Sequence, residues 1–368
     1  MEGRSNERFA VVIGTRPEGI KLLPLVGAMR RRGLSPYVIA SGQHTELLAD
    51  VLDAFEEKAD LWLPSMHYGE DMSAMLSGLL SNVKDAMEKL APEAVIVQGD
   101  TATAFAAALS AFLHRIPIFH VEAGLRSGDT FSPFPEEAFR KSIAAMALFH
   151  IAPTPAAMEH LLKEGVPRDR VFLLGNTVED AVRAMCPKGV KKGKTILFTL
   201  HRREHSEARM YAVFSAIRML AERFPSYSVL YPVHPSPRVR KIAQAALSGA
   251  ERIRLVPPMG IREFYRALVS APLVLTDSGG VQEEAAILGI PTLVLRENTE
   301  RESELLKGDI LLGGTEPHRI VALASELLLH PRKKEKESRH GSPSEMICNV
   351  LLAFREGGFD MPPLFREF

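Results

Sequence analysis

Short apolar runs that end in a glycine-bearing or acidic turn, each followed by a stretch of helical spacing, recur along nearly the whole chain. The unit is clearest where residues 94–97 form an apolar run after Pro92, Gly99-Asp100-Thr101 follows, and an Ala-rich helical stretch begins. An apolar run without alternation reads as a strand covered on both faces. Strands that alternate with helices form parallel sheets sandwiched by those helices. The first half of the chain predicts strands over 9–13, 37–40, 94–97 and 117–121, with helices over 20–31 and 71–90. The pattern then restarts. Strands are predicted over 195–199, 228–233, 253–255, 273–276 and 291–295, with helices over 208–222 and 261–268 and another from Gly279 to Leu288. Between the halves, Cys186-Pro-Lys-Gly-Val-Lys-Lys-Gly-Lys194 lacks periodicity and reads as a linker. The expected architecture is α/β: two Rossmann-like, doubly wound domains over 1–183 and 184–345. A C-terminal tail over 346–368 follows, helical through 344–354. A ligand is expected in the cleft between two such halves.

The chain has 368 residues, 46% apolar and 24% charged, which suits two ordinary cores and argues against disorder. Lys plus Arg and Asp plus Glu both number 45, so bulk charge gives no footprint for nucleic acid. The basic run Arg332-Lys-Lys-Glu-Lys336 is interrupted by an acid and reads as a solvated edge. Cys186 and Cys348 are too few and too distant for a disulfide framework, which points to a reducing, cytoplasmic setting. No apolar run reaches the roughly 20 residues that cross a bilayer, so no membrane partner is expected.

Chemistry-bearing residues gather where strands end. Asp100 follows a strand and precedes a helix, Glu122 follows His120-Val121, and Glu136 follows the stiff Ser132-Pro-Phe-Pro135. Each has a plain structural reading, as a helix cap, a strand-end ion pair or a first-turn acid. Three such acids with Arg126 and Arg140 are better explained together, as groups aimed at a ligand. Gly14-Thr-Arg-Pro-Glu-Gly-Ile-Lys21 also follows a strand and opens a helix. It places Arg16 and Lys21 where anions bind, without a Gly-x-Gly-x-x-Gly pattern. In the second half, Thr199-Leu-His-Arg-Arg-Glu204 offers His201 at a strand end, and His234 ends another strand. Asp277-Ser-Gly-Gly-Val-Gln-Glu-Glu284 carries the strongest signal. Ser278, Gly279 and Gly280 at a helix start expose backbone N–H groups to a pyrophosphate, and Glu284 lies about two turns on, in reach of ribose hydroxyls. Asn298-Thr-Glu-Arg301 brings Arg301 after the next strand. The histidines show no metal-ligating spacing, so no metal is expected.

At these residues the chain resembles the non-hydrolysing UDP-N-acetylglucosamine 2-epimerases. The matching motifs run in order from Gly14 to about residue 320 and include Ser41–His44, Gln98-Gly-Asp-Thr101, His120–Arg126, Ser132–Arg140 and Asp277–Arg301. The resemblance implies a glycosyltransferase-B-type fold, a UDP-sugar partner, a homodimer and no cofactor. It implies inversion at C2 by elimination of UDP to a 2-acetamidoglucal and re-addition. It assigns catalysis to Asp100, Glu122, Glu136 and His201. Arg16, Lys21 and Arg140 fall near the sugar and phosphates, His234 near the phosphates, and Phe264 beside the uracil. Ser278, Gly279, Gly280, Glu284 and Arg301 fall on the UDP, and Gln43 and His44 on an activator site. The chain departs from the family pattern at Leu200, Glu302, Phe139, Thr45 and Glu46. Related readings are a hydrolysing 2-epimerase that releases N-acetylmannosamine, a 2-epimerase of a UDP-diacetamido uronic acid and a glycosyltransferase of the same fold. A UDP-sugar sensor would leave the acids without purpose.

Overall fold

The computed structural model describes residues 8–42, 45–65, 71–187, 189–200, 206–297, 310–330 and 341–362. Two compact units emerge. One joins Met1–Ala181 to Arg339–Phe368, and the other is Val182–Ser338.

The first unit is a seven-stranded sheet in the order β3-β2-β1-β4-β5-β6-β7, parallel throughout. Its strands are β1 (Arg8–Ile13), β2 (Ser35–Gly42), β3 (Leu61–Ser65), β4 (Ala94–Gln98), β5 (Ile118–Val121), β6 (Phe149–Ala152) and β7 (Val171–Leu173). The crossovers are α1 (Arg16–Arg31), α2 (Thr45–Ala54), α3 (Met72–Leu90), α4 (Ala102–Leu113), α5 (Glu136–Met146), α6 (Pro155–Lys163) and, after β7, α7 (Val178–Met185). Phe9, Ala10, Val11, Val12 and Ile13 of β1 have no exposed surface, as a strand covered on both faces requires. Ala102–Leu113 lies flat on the sheet because Ala104, Ala107, Ala108 and Ala111 leave room for Val95 and Val97 beneath them.

The second unit is a six-stranded parallel sheet in the order β10-β9-β8-β11-β12-β13. Its strands are β8 (Thr195–Thr199), β9 (Ser228–Pro232), β10 (Ile253–Val256), β11 (Val274–Thr276), β12 (Thr292–Val294) and β13 (Ile310–Leu312). Helices α8 (Glu207–Arg223), α9 (Pro237–Leu247), α10 (Ile261–Ser270), α11 (Gly279–Leu288) and α12 (Pro317–Leu329) connect or flank them. Its core centres on Phe198, Phe214 and Tyr231, with ring centroids 4.5–6.1 Å apart.

Both expected α/β domains are present, and the expected strands lie within a residue or two of the observed ones. Sequence reading omits α2, β3, β6, α6, β7, α7, α9, β13 and α12. These are short pieces, and α9 and α12 begin at a proline in the first turn, so periodicity alone marks them weakly. The last helix, α13 (Pro343–Arg355), packs on the first unit: Glu345 pairs with Arg31 at 2.9 Å, and the Ser344 N–H donates to Asp180 at 2.8 Å. Phe354 stands edge-on to Phe9, Phe119 and Phe149 with centroids 6.4, 5.3 and 5.7 Å away. Phe354→Ala removes this aromatic junction and is expected to cost the first unit about 3 kcal/mol, read from its denaturant midpoint.

Candidate active site

Each sheet reverses its winding once, between β1 and β4 in the first unit and between β8 and β11 in the second. At such a switch point the connections leave in opposite directions and open a crevice at the carboxyl ends of the strands, where α/β proteins hold ligands.

In the first unit, β1 ends in Gly14-Thr15, and α1 starts at once with Arg16 as its first residue and Pro17 next. Gly14 admits no side chain: a Cβ there would lie 2.1 Å from Thr103 Oγ1 and 2.8 Å from Ser41 Oγ. Across the seam, β4 ends at Gln98, Gly99 takes φ +69°, and Thr101 caps α4 through a 3.0 Å bond from the Ala104 N–H. Asp100 sits in this turn and holds Arg140 at 2.5 Å. The same guanidinium donates to Glu137 at 2.9 Å, and Glu137 also accepts from the Ser127 N–H. Glu122 follows β5 with φ +61°, a left-handed conformation that costs a non-glycine residue about 1–2 kcal/mol. That turn aims its carboxylate inward, onto the Lys21 ammonium and onto Gln98 Nε2 at 2.5 Å. The Asp100 side chain keeps 23% of its surface exposed, against 4% for Glu122. Of these two carboxylates, Asp100 is the more open to solvent.

Beneath these groups His120 donates from Nε2 to the Gly99 carbonyl at 2.8 Å. A carbonyl only accepts, so the proton sits on Nε2. Burial pulls this ring down to about 3, and that of His150, its neighbour in register on β6, down to about 4; both are neutral at pH 7. Glu18, on the first turn of α1, has no exposed surface. It accepts from Gly14 N, Thr15 N, Thr15 Oγ1 and Thr101 Oγ1 at 3.0, 2.6, 2.8 and 2.7 Å. Burial outweighs those four bonds and pushes its carboxyl up to about 7.

In the second unit, the Thr199 and Thr276 hydroxyls meet at 2.6 Å across the seam. Ser278 caps α11, its N–H bonded to Thr276 Oγ1 at 2.9 Å, and a Cβ on Gly280 would meet nothing closer than Ser278 Oγ at 4.0 Å. The start of α11 thus offers the Gly279 and Gly280 N–H groups, on residues without side chains, to an anion, while the Ser278 and Val281 N–H groups are taken by Thr276 Oγ1 and Ser278 Oγ. Glu284 is buried and accepts from Tyr265 OH at 3.1 Å. Burial and that carboxylate push the Cys186 thiol up to about 12 and leave it inert. Phe264 is buried and edge-on to Tyr265, and His234 Nδ1 accepts from the Ser236 N–H at 3.2 Å.

A family model described as UDP-N-acetylglucosamine 2-epimerase matches residues 28–352. The UDP-N-acetylglucosamine 2-epimerase of Bacillus subtilis is 40% identical over 345 residues, covering 91% of each chain. The chain belongs to the UDP-N-acetylglucosamine 2-epimerase family. The crystal structure of UDP-GlcNAc 2-epimerase from Neisseria meningitidis bound to UDP-GlcNAc has a TM-score of 0.85 at 35% identity, over 94% of this chain and 99% of that one. A glycotransferase of kitacinnamycin, 13% identical with a TM-score of 0.54 over 96% of each chain, shares the fold alone.

Among the 2-epimerase residues read from the sequence, Arg16, Lys21, Asp100, Glu122, Glu136 and Arg140 all lie at the carboxyl edge of the first sheet. His234, Phe264, Ser278, Gly279, Gly280 and Glu284 lie in the second unit. Gln43, His44, His201 and Arg301 fall outside the described residues. Arg126 is turned away to a two-pronged pair with Glu164 at 2.7 and 2.6 Å. Glu137, rather than its neighbour Glu136, grips Arg140. Glu137, Gln98 and Glu18 carry no chemical signature in sequence beyond their place in the motifs. Among the described residues no three His, Cys, Asp or Glu side chains cluster as metal ligands, and no helix is long and apolar enough to cross a membrane.

These buried groups act on stability in opposite directions. Glu18 titrates higher folded than its ordinary 4.5, so its contribution is greatest below pH 4.5 and is lost as pH rises towards 7. His120 and His150 titrate below their ordinary 6.5, so theirs is complete above 6.5 and is lost as pH falls. Denaturant titrations at pH 7 and 5 should show a net acid loss to which each histidine contributes about 2 kcal/mol. His150→Gln should shrink that loss, and Glu18→Gln should steepen it.

Proposed function

We propose that this chain interconverts UDP-N-acetylglucosamine and UDP-N-acetylmannosamine without hydrolysing them. The observation that carries the reading is the pairing of Asp100 with Arg140, and of Glu122 with Lys21 and Gln98, at the switch point of the first sheet, in a chain of this family. In this reading residues 1–183 handle the sugar, 184–345 hold the UDP, the tail 346–368 returns to the first domain, and the working form is a homodimer.

Inversion at C2 requires removal of a weakly acidic C–H proton. A carboxylate takes the C2 proton, the C–H electrons form the C1=C2 bond of the 2-acetamidoglucal, and the C1–O bond breaks with its pair leaving on UDP. Return of UDP to C1 and delivery of a proton to the other face of C2 complete the exchange, with no change of oxidation state. Asp100, the more exposed acid, is the group we assign to contact with the sugar. Arg140 orients it, while Glu122 and Glu136 supply the second proton site. Lys21 and Arg16 offset the charge that develops as the phosphate leaves. Ser278, Gly279 and Gly280 present N–H groups to the diphosphate, Glu284 takes the ribose hydroxyls, and Phe264 lines the uracil. The resemblance assigns His201 to catalysis, Arg301 to the UDP and His234 to the phosphates.

UDP-N-acetylglucosamine incubated with the protein in D2O should acquire deuterium at C2 and accumulate as both UDP-sugars by NMR. Free N-acetylmannosamine as the main product would identify a hydrolysing enzyme instead, and no exchange would exclude proton abstraction. Asp100→Asn should lower turnover by at least about a hundredfold with UDP affinity retained, whereas Glu284→Ala should weaken UDP binding in calorimetry.

A further inference from the structure

Glu18 is a buried acid at the first switch point for which the proposed chemistry has no direct use. Its surroundings give it one. The ladder between β1 and β4 pairs Phe9, Ala10 and Val11 with Ala94, Val95 and Ile96 and stops there, although the strands run on to Ile13 and Gln98. Past that point no backbone ladder joins the two strand ends or sets the distance between the turns that follow them. Those turns carry Arg16 on one side and Asp100 on the other.

The Glu18 carboxylate fills the gap with both oxygens. Oε2 takes the Gly14 and Thr15 N–H groups and the Thr15 hydroxyl, all from the β1–α1 turn. Oε1 takes the Thr101 hydroxyl, from the β4–α4 turn. We infer that Glu18 is a positioning residue, a clamp that ties the Arg16 turn to the Asp100 turn across the unladdered ends of β1 and β4. Asp100 is then held twice, through its side chain by Arg140 and through its neighbour Thr101 by Glu18. His120 braces the same turn from the β5 side through the Gly99 carbonyl. Such bracing matters because displacement of a reacting group by about 1 Å can cost on the order of a hundredfold in rate.

This inference rests on the epimerase reading above, and its test separates the two. In Glu18→Gln the amide oxygen can keep the Gly14 and Thr15 N–H bonds. The amide nitrogen donates where the carboxylate accepted, so the Thr101 hydroxyl, already taking the Ala104 N–H, must turn its own proton away and accept on its other lone pair. The substitution therefore reverses and weakens the cross-seam half of the clamp and leaves the rest. Thr101→Val removes the same link from the other side, and Thr101→Ser preserves it.

With UDP-N-acetylglucosamine as substrate, Thr101→Val is expected to lower kcat by about tenfold or more, Glu18→Gln by less, and both to leave KM within about threefold. Glu18→Gln should melt no lower than wild type, and Thr101→Ser should turn over normally. The double variant Glu18→Gln/Thr101→Val should be no slower than Thr101→Val, because both act on one link. Wild-type kcat in Thr101→Val, penalties that multiply in the double variant, or a loss of rate that merely tracks a lower melting temperature would each overturn the clamp. Should Thr101→Val fail to fold, Thr101→Ala against Thr101→Ser decides by the same kcat criterion. If the wild-type chain itself leaves the substrate unchanged, it is the epimerase reading that falls. The clamp is then judged by the coupling of positions 18 and 101 in a melting-temperature cycle, and additive shifts there would overturn it.

Discussion

A parallel sheet that is wound first one way and then the other has a crevice at the carboxyl ends of the two strands where the winding reverses, and each sheet of this protein has one such seam. The consequence is chemical as much as topological. Where the chain leaves the sheet at the seam, backbone N–H and carbonyl groups lose their ladder partners, and those groups must be satisfied by side chains. In the first unit the Glu18 carboxylate does this, bonded to two N–H groups and two hydroxyls. In the second, Thr199 and Thr276 join their hydroxyls across β8 and β11, and Thr276 also receives the Ser278 N–H. The placement of Asp100 and of the start of α11 follows from how each seam is closed.

The two seams are built for different work. The first gathers ionised groups and takes them largely out of water: Lys21 with Glu122, and Arg140 between Asp100 and Glu137. Buried pairs of this kind repay their desolvation poorly, and apolar residues of the same size would often fold as well. Adding a left-handed Glu122 raises the cost further. Costs concentrated at one strand edge are what a functional site carries, and they fit the role proposed for these residues. The second seam offers backbone donors at α11, with the buried Asp277 just before the helix and the buried Glu284, held by Tyr265, further along it. Charged acids and bases suit proton movement at carbon, and fixed N–H dipoles suit a diphosphate that stays charged throughout.

Much of this was legible in the residues themselves. Continuous apolar runs such as the one from Phe9 to Ile13 signalled covered parallel strands, and the turns after them signalled where chemistry would gather. What escaped has a physical reason in each case. The helices α9 and α12 begin at prolines after polar turns, and β7 and β13 are three residues long, too short for a period to show. Arg126 shares a motif with Glu122, yet Gly124 between them brings the chain so close to α6 that a Cβ there would stand 2.1 Å from the Ala157 carbonyl oxygen. The end of that motif therefore anchors a helix, and its arginine pairs with Glu164 at the end of α6. Glu136 and Glu137 are adjacent and chemically identical, and at four and three residues before Arg140 both stand within helical reach of it, so spacing in the sequence does not tell them apart.

Glu18 shows why a capping residue is easily misread. Thr15 and Glu18 stand at the spacing of a capping box, and the local part of that box is present, with the carboxylate reaching back to the Thr15 N–H. An ordinary capping glutamate lies in solvent and uses one oxygen. This one is sealed beneath two turns, and its second oxygen reaches Thr101, far along the chain. Helix α4 repeats the economy, since the Thr101 hydroxyl caps the Ala104 N–H while it donates to Glu18. Two helix starts that would be independent in an isolated chain are thereby made one unit. The groups beside them, Arg16 and Asp100, cannot move apart without breaking the Glu18–Thr101 bond that joins the two caps.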